Sequence, residues 1–182
     1  MRRTVAGGGR GRVLELGVGV GANWQFLPAG IAYSGIEPDP HMLRRAQRHA
    51  AESRLDVDLH LAAAEALPFA DDTFDTVFTT LTLCSVEDLT GALAEVRRVL
   101  RPDGTFRFWE HVRPEGRVKA RLADAITPAW KRIFAGCHPN RATVEAIQAA
   151  GFTMVELDGG RRRRRFVPFI IGVATTDDPT TR

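Results

Sequence analysis

Three glycines alternate with valines directly after a short apolar segment that contains one carboxylate. The segment Val13–Leu16 is apolar except for Glu15, and it is followed at every second position by Gly17, Gly19 and Gly21. Glycine lets the backbone adopt positive φ and lets a ligand approach the main chain closely. A helix that starts just after the loop adds N–H groups without partners. The pattern therefore predicts a strand, a ligand-binding loop and a helix start.

The glycine spacing by itself leaves the ligand open. Gly17, Gly19 and Ala22 satisfy the dinucleotide pattern G-x-G-x-x-G/A. Glu15 before the loop and Gly21 within it favour a different nucleotide-like ligand. Because a charged residue at the end of an apolar strand needs a polar partner, we expect the carboxylate of Glu15 to face the loop.

Two further polar residues stand where a ligand in this loop would reach them. Asn23 is placed to cap the helix that follows the glycines. Glu37 comes about twenty residues after the loop, directly before Pro38, at the predicted end of the second strand. A carboxylate at that place can accept hydrogen bonds from both hydroxyls of a ribose. A surface charge is the alternative, and the coincidence of strand end, spacing and acidity favours ribose binding.

Strands and helices alternate through the first two thirds of the chain, which predicts a parallel sheet with right-handed crossovers. Asp39 is expected to cap the second helix, with Pro40 in its first turn. The predicted strands lie at about residues 12–16, 31–37, 57–62, 74–83 and 105–112, and the predicted helices at 23–27, 41–53 and 87–100.

The last third of the chain has a different order. Helices are predicted at about residues 116–135, with a break at Thr127 and Pro128, and at 143–150. Two strands follow at 152–157 and 166–175 with no helix between them, which predicts an antiparallel hairpin. The fold class is therefore α/β, a Rossmann-like, mostly parallel seven-stranded sheet with a C-terminal antiparallel hairpin.

Composition fits one globular domain over residues 1–182, with residues 1–11 and 176–182 expected to be flexible. The formal net charge of +3 depends on the run Arg161–Arg165, so we expect no general nucleic-acid-binding face. Cys84 and Cys137 form no C-x-x-C pair, and no segment is apolar over the length of a membrane-spanning helix. A cytoplasmic location is the simplest expectation.

The order of these motifs resembles that of class I methyltransferases that use S-adenosylmethionine, within the ubiquinone/menaquinone-methylating superfamily. A narrower resemblance is to the membrane-associated alkyl-thiol methyltransferases. The resemblance implies transfer of a methyl group to a small molecule, with S-adenosylhomocysteine as the second product. Apolar residues such as Trp130, Ile133 and Phe134 favour a small or lipophilic acceptor. The resemblance leaves the acceptor atom open among S, O, N and C. The stretches that carry it are Gly19–Asn23, Leu81–Val86, Glu95–Gly104, Glu110–Val112, Pro128–Trp130 and Gly136–His138.

The resemblance also implies roles for single residues. Glu15 would hold the ammonium group of the cofactor, directly or through water. Ala64 and Glu65 correspond to the stretch that borders the adenine, although this chain has Ala63 where many relatives have an aspartate that bonds the adenine amino group. Thr80 and Leu81, at the end of the fourth strand, would face the methionine portion of the cofactor and the acceptor.

Methyl transfer from a sulfonium needs attack geometry and exclusion of water, and a general base only when the acceptor must lose a proton. His111, just after the fifth strand, is the first candidate for that base, and His138 is the second. Each of them can equally be structural. No metal is expected, because the sequence contains no clustered set of ligands. Cys84 is expected to be a small apolar packing residue.

The sequence leaves several functions open. The chain is either an enzyme or a non-catalytic cofactor-binding partner of another subunit, and an NAD-dependent oxidoreductase is a further candidate. Arg161–Arg165 either recruits an anionic acceptor or membrane surface, or forms a solvated hairpin tip. The oligomeric state is also undecided.

Overall fold

The computed structural model describes residues 1–53, 56–134, 136–158 and 167–176. A short 3₁₀ helix, Trp24–Phe26, follows the glycine loop. The strands are β1 Arg12–Leu16, β2 Ala32–Glu37, β3 Asp58–Leu61, β4 Phe74–Thr80, β5 Leu100–His111, β6 Thr153–Asp158 and β7 Phe169–Thr175, and the helices are α1 Arg2–Ala6, α2 Pro40–Ser53, α3 Leu89–Val99, α4 Arg117–Ile133 and α5 Thr143–Ala149.

All seven strands form one sheet in the order β3-β2-β1-β4-β5-β7-β6. The pairs from β3 to β5 are parallel, and β7 is antiparallel to both β5 and β6. The predicted fold class, with its terminal antiparallel hairpin, is confirmed. The strand order reverses between β1 and β4, and in open α/β sheets ligands bind outside the carboxyl ends of the strands at such a switch point.

Apolar side chains fill both faces of the sheet, as expected for central parallel strands. Leu14 and Leu16 of β1 belong to one core cluster, which also takes in the apolar faces of α3 and α5. Val13 of β1 and Phe78 of β4 belong to a second cluster, which takes in residues of α1 and α2. The helices thus lie on both sides of the sheet and leave its carboxyl edge to the loops.

Two strands differ from the predicted boundaries for local reasons. The sequence predicts that β4 continues to residue 83, but it ends at Thr80, because Leu81 has a φ of 63°, which takes the chain out of the extended conformation. β5 begins at Leu100, whereas the sequence predicts a turn at residues 101–104. A register shift against β4 accommodates those extra residues within the bounds of β5.

α4 is continuous over Arg117–Ile133, although the sequence predicts a break at Thr127 and Pro128. Pro128 lies on the exposed side of the helix, so the carbonyl that it deprives of an amide partner can be hydrated. The Thr127 hydroxyl donates to the carbonyl of Ala123 at 2.6 Å and stays within the helix. Over the described ranges, no helix is both long and apolar enough to cross a membrane.

The start of the chain forms α1, whereas the sequence predicts a flexible lead-in. Val5 and Ala6 are buried in the cluster on the α2 side of the sheet. The Arg107 guanidinium of β5 donates to the carbonyls of Thr4 and Val5 at 3.0 and 3.1 Å. Apolar burial and these hydrogen bonds together hold the first residues against the sheet. Residues 177–182 lie outside the described residues.

The packing of α1 predicts a measurable difference between two Val→Ala substitutions. Val5→Ala should lower the free energy of unfolding by about 2 kcal/mol in urea denaturation, because it removes two buried methyl groups and leaves a cavity. Val118→Ala on α4 is the matched control, since Val118 is 82% exposed, and it should change that free energy by less than about 0.5 kcal/mol. Equal effects of the two substitutions would contradict the packing of α1.

Candidate functional site

The glycine loop after β1 combines positions that need glycine for two different reasons. Gly17, Gly19 and Gly21 have φ angles of 73°, 60° and 81°. A Cβ on Gly17 would lie 2.4 Å from the hydroxyl of Thr82, and one on Gly21 would lie 2.5 Å from the ring of Trp24. A Cβ on Gly19 would meet no atom within 4 Å. Gly17 and Gly21 therefore permit close packing, whereas Gly19 faces open space that a ligand can enter.

Glu37 ends β2 beside this loop, as predicted. One carboxylate oxygen accepts a hydrogen bond from the backbone N–H of Gly19 at 2.8 Å, and the other accepts from that of Asp39 at 3.0 Å. The side chain is mostly buried, and Pro38 directly after it is exposed. Each carboxylate oxygen has further acceptor capacity. Glu37 therefore presents two oriented acceptors at the mouth of the glycine loop, which fits the two hydroxyls of a ribose.

Glu15 is fully buried, and both of its oxygens bind protein groups. They accept hydrogen bonds from the amide nitrogen of Asn23 and the hydroxyl of Tyr33, each at 2.5 Å. Burial raises the pKa of Glu15 from 4.5 to about 7, although both hydrogen bonds oppose the rise. The expected cofactor contact of Glu15 remains a prediction. In the structure its carboxylate fixes the side chain of Asn23.

Asn23 connects Glu15 to the end of β4. Its amide nitrogen also donates to the Thr80 hydroxyl at 2.9 Å. The expected helix cap is wrong, because the Asn23 side chain makes no capping hydrogen bond to the 3₁₀ helix. The strong acceptor on Glu15 and the nearby Thr80 take the amide group instead. Asn23 is buried within this network.

Arg2 of α1 completes the network, and no local pattern in the sequence marks it. Its guanidinium donates to the amide oxygen of Asn23 at 2.9 Å and to the hydroxyl of Thr80 at 3.1 Å. It also lies over the ring of Trp109, 5.6 Å from the centroid. The positive charge favours ionised Glu15 and lowers its pKa. Arg2 therefore places a cation at the carboxyl ends of β1 and β4, where it can bind an anionic group.

A second buried carboxylate shapes the loop after β4. The two oxygens of Glu110 accept hydrogen bonds from the N–H groups of Thr82 and Cys84 at 3.0 and 3.1 Å. Burial raises the pKa of Glu110, and these backbone hydrogen bonds oppose the rise. Leu81, with its positive φ, donates its N–H to the carbonyl of Trp109 at 2.7 Å. The chain after Thr80 is therefore held tightly against the end of β5.

The stretch expected to border an adenine has a structural role of its own. Ala64 is buried in the core. The Glu65 carboxylate accepts hydrogen bonds from the N–H groups of Glu87 and Asp88 at 2.9 and 3.1 Å. Glu65 is thus not a free solvated charge, since it ties its loop to the start of α3. The contact of these residues with a cofactor remains a prediction.

The two histidines predicted as alternative bases both lie beside Cys84. Nδ1 of His111 is 3.4 Å from the sulfur of Cys137 and 3.9 Å from that of Cys84. The N–H and Nδ1 of His138 lie 2.6 and 3.2 Å from the carbonyl oxygen of Cys84. Burial lowers the pKa of His138, and the charge of Arg141 lowers it further. His138 is therefore neutral near pH 7.

Cys84 and Cys137 both lie beside the imidazole of His111. The hydrogen bond between the two sulfurs raises the pKa of Cys84 and lowers that of Cys137, with burial raising the pKa of both. Cys84 is buried in the core, in line with the expected packing role, and its sulfur also lies 3.8 Å from the hydroxyl of Ser85 and 3.9 Å from Nδ1 of His111. The sequence shows no clustered ligand motif, but the fold brings Cys84, His111 and Cys137 together, with three possible ligand atoms within 4.8 Å of one another.

Arg141 joins the two loops that carry these groups, and it too has no signal in the sequence. Its guanidinium donates to the carbonyls of Leu83 and Val86 at 2.5 Å each. Its own N–H donates to the carbonyl of His138 at 3.3 Å. The side chain therefore fixes the loop after β4 against the loop after α4. The run Arg161–Arg165 lies outside the described residues.

Comparison with known proteins places these features in a family context. A family model described as "Methyltransferase domain" matches residues 14–108 of the chain. "Thiol S-methyltransferase TMT1B" of Rattus norvegicus is 39% identical over 150 residues, which cover 80% of this chain and 62% of that protein. "Malonyl-[acyl-carrier protein] O-methyltransferase" of Methylococcus capsulatus is 31% identical over 172 residues, which cover 89% of this chain and 58% of that protein. The chain thus spans about six tenths of the length of these relatives.

Solved structures show the same architecture. Geranyl diphosphate methyltransferase, in a complex with SAM, matches with a TM-score of 0.77 and 14% sequence identity. The match covers 94% of this chain and 82% of that protein. At this level of identity, the likeness shows the shared fold alone.

The buried carboxylate of Glu15 predicts a pH-dependent effect of Glu15→Gln. The stabilisation from keeping Glu15 protonated is fully present below its unfolded-state pKa of 4.5 and is lost as the pH rises to about 7. Glu15→Gln removes this loss. The free energy of unfolding of the variant relative to wild type should therefore increase by about 2 to 3 kcal/mol between pH 5 and pH 8.

Urea denaturation at the two pH values measures this difference. Glu52→Gln, on the exposed surface of α2, is the matched control and should follow wild type at both pH values. A constant offset between Glu15→Gln and wild type would contradict a raised pKa at Glu15.

Proposed function

Because this chain belongs to the methyltransferase-domain family, we propose that it transfers a methyl group from S-adenosylmethionine to a small thiol acceptor and releases S-adenosylhomocysteine. One observation carries the cofactor part of the proposal. The open face of Gly19, the two acceptors of Glu37 and the guanidinium of Arg2 all lie at the strand ends around the β1–β4 switch point. The thiol acceptor is supported by the relative that is named a thiol S-methyltransferase.

The residues around the loop match the chemical groups of S-adenosylmethionine. Glu37 accepts hydrogen bonds from the ribose hydroxyls, with Pro38 at the edge of that contact, and Gly19 lets the ligand approach the backbone. Arg2 pairs with the carboxylate of the amino-acid portion. Asn23 orients that end of the pocket, since it is fixed by Glu15 and Thr80. The bound cofactor supplies a methyl group that is already activated on a sulfonium.

The neighbouring loops provide the remaining cofactor contacts in this proposal. The negative charge of Glu15 stabilises the positive ammonium group of the cofactor, and Asn23, which is hydrogen-bonded to Glu15, lies between them in this proposal. Ala64 and Glu65 border the adenine. Main-chain groups near Ala64 bind the adenine amino group in place of the aspartate that many relatives have at the position of Ala63. Leu81, beside Thr80 at the end of β4, forms the wall between the methionine portion and the acceptor.

His111 and His138 lie on the acceptor side. The carbonyl of Cys84 can only accept a hydrogen bond, so Nδ1 of His138 carries its proton and Nε2 is left as a proton acceptor. His138 can therefore take the proton of an acceptor thiol and pass it to solvent. A thiol has an ordinary pKa of about 8.5, so it needs only modest help to ionise. His111 orients the groups around Cys84 and Cys137.

An oxygen acceptor is the second candidate. It is favoured by the likeness to a relative that is named an O-methyltransferase and that aligns over 89% of this chain. A non-catalytic cofactor-binding partner and an NAD-dependent oxidoreductase are less favoured functions. The proposal includes a small-molecule acceptor rather than nucleic acid, and a cytoplasmic location, which the two free cysteines support.

Turnover of S-adenosylmethionine labelled on its methyl group, measured over thiols, phenols, amines and quinol precursors, tests this function. We expect label to appear on lipophilic thiols and S-adenosylhomocysteine to form in equal amount. Transfer only to oxygen acceptors would establish the second candidate. Binding of NAD without binding of S-adenosylmethionine or S-adenosylhomocysteine would overturn the proposal.

Glu37→Gln tests the cofactor site within the same assay. Loss of charge-assisted hydrogen bonds to the ribose should weaken S-adenosylhomocysteine binding in calorimetry by about 10-fold to 100-fold. Glu52→Gln on α2 is the control and should bind as wild type does. Unchanged affinity in a folded Glu37→Gln variant would place the ribose elsewhere.

A further inference from the structure

Cys84, His111 and Cys137 come from three separate parts of the fold and present their ligand atoms to one point. Cys84 lies in the loop after β4, His111 ends β5, and Cys137 lies in the loop after α4. The two sulfurs are 3.9 and 3.4 Å from Nδ1 of the imidazole, and all three atoms lie within 4.8 Å of one another. Both cysteines are buried, while the imidazole is partly exposed.

These separations match those of a coordinated cation. Zn–S bonds of about 2.3 Å and Zn–N bonds of about 2.0 Å in a tetrahedron place sulfur and nitrogen about 3.6 Å apart and two sulfurs about 3.8 Å apart. The two observed sulfur–nitrogen distances lie on either side of that value. The ligand atoms therefore need only small shifts to bind one ion at their centre.

The backbone around the cluster is already fixed. The N–H of Cys84 is bound by Glu110, and the carbonyl of Cys84 is bound by the N–H of His138. The N–H of Cys137 donates to the carbonyl of Phe134 at 2.9 Å. Arg141 ties the same two loops together. A preorganised ligand set of this kind binds a metal without a large ordering cost.

We propose that Cys84, His111 and Cys137 form a three-ligand site for a zinc-type cation, with the fourth position open to the acceptor thiol. Two sulfurs and one imidazole nitrogen select a borderline-soft cation over Mg²⁺ or Ca²⁺. Three protein ligands with one open position are typical of zinc sites that act on a substrate.

The fourth position rests on the function proposed above, whereas the metal site does not. When a thiol binds there, its S–H bond breaks, a sulfur–metal bond forms, and the proton leaves to solvent. The cation then holds the acceptor as a thiolate, which is the nucleophilic form of sulfur. No change of oxidation state takes place.

Cobalt titration tests the site in the absence of cofactor and acceptor. The protein is first treated with a chelator and a phosphine reductant, and Co²⁺ is then added. We expect one ion per chain, thiolate-to-cobalt charge-transfer absorption, and displacement by Zn²⁺. Cys84→Ser, Cys137→Ser and His111→Asn should each weaken Zn²⁺ binding by more than about 100-fold. His41→Asn, on the exposed start of α2, is the matched control and should bind as wild type does.

Calorimetry with S-adenosylhomocysteine separates a lost metal site from a lost fold in these variants. Variants that still bind S-adenosylhomocysteine but take up no Co²⁺ support the site. Reduced wild-type protein that binds S-adenosylhomocysteine and takes up no Co²⁺ overturns it. Failure of methyl transfer with intact Co²⁺ uptake would instead count against the proposed function.

A final addition tests the open position. Thiophenol added to the cobalt-loaded protein should shift the charge-transfer absorption, because a new thiolate joins the ion. Phenol is the matched control and should leave the spectrum unchanged. Equal spectra with and without thiophenol would overturn the acceptor position.

Discussion

The burial of the Glu15 carboxylate is the constraint on which the rest of the candidate site depends. A carboxylate with no exposure to solvent must be protonated or fully hydrogen-bonded, and here it binds both Asn23 and Tyr33. Because Asn23 also binds Thr80 and Arg2, one buried acid connects the glycine loop, the end of β4 and the first helix. The hydrogen bonds that satisfy this group therefore fix these three elements relative to one another.

A second fully buried carboxylate repeats this arrangement beside the proposed acceptor position. Glu110 binds the N–H groups of Thr82 and Cys84, so it shapes the loop after β4 as Glu15 shapes the loop after β1. Thr82 joins the two systems, since its hydroxyl donates to the carbonyl of Leu16 at 2.9 Å. The proposed cofactor and acceptor sides are therefore held by the neighbouring strands β1 and β4. Such rigidity suits a reaction whose main requirement is the alignment of two reactants.

The sequence predicts the features that are encoded locally and misses those that depend on distant contacts. The glycine loop, the position of Glu37 at the end of β2 and the Asp39 cap of α2, whose carboxylate accepts from the N–H of His41 at 2.7 Å, all follow from residues close in the chain. The side chains of Arg2 and Arg141 bind partners that are distant in the chain, such as Thr80 for Arg2 and Leu83 for Arg141, so no local pattern marks them. The same holds for Cys84, His111 and Cys137, which meet only because β4, β5 and the loop after α4 end at one edge of the sheet.

The carboxyl ends of β1, β2 and β4 form the proposed site for S-adenosylmethionine. A crystal structure of the chain with S-adenosylhomocysteine tests this placement most directly. We expect that the ribose hydroxyls bind the Glu37 carboxylate and that the amino-acid portion lies beside Arg2 and Asn23. Density for the ligand at another place on the sheet, or a Glu37 that still binds only the N–H groups of Gly19 and Asp39 at saturating ligand, would contradict it.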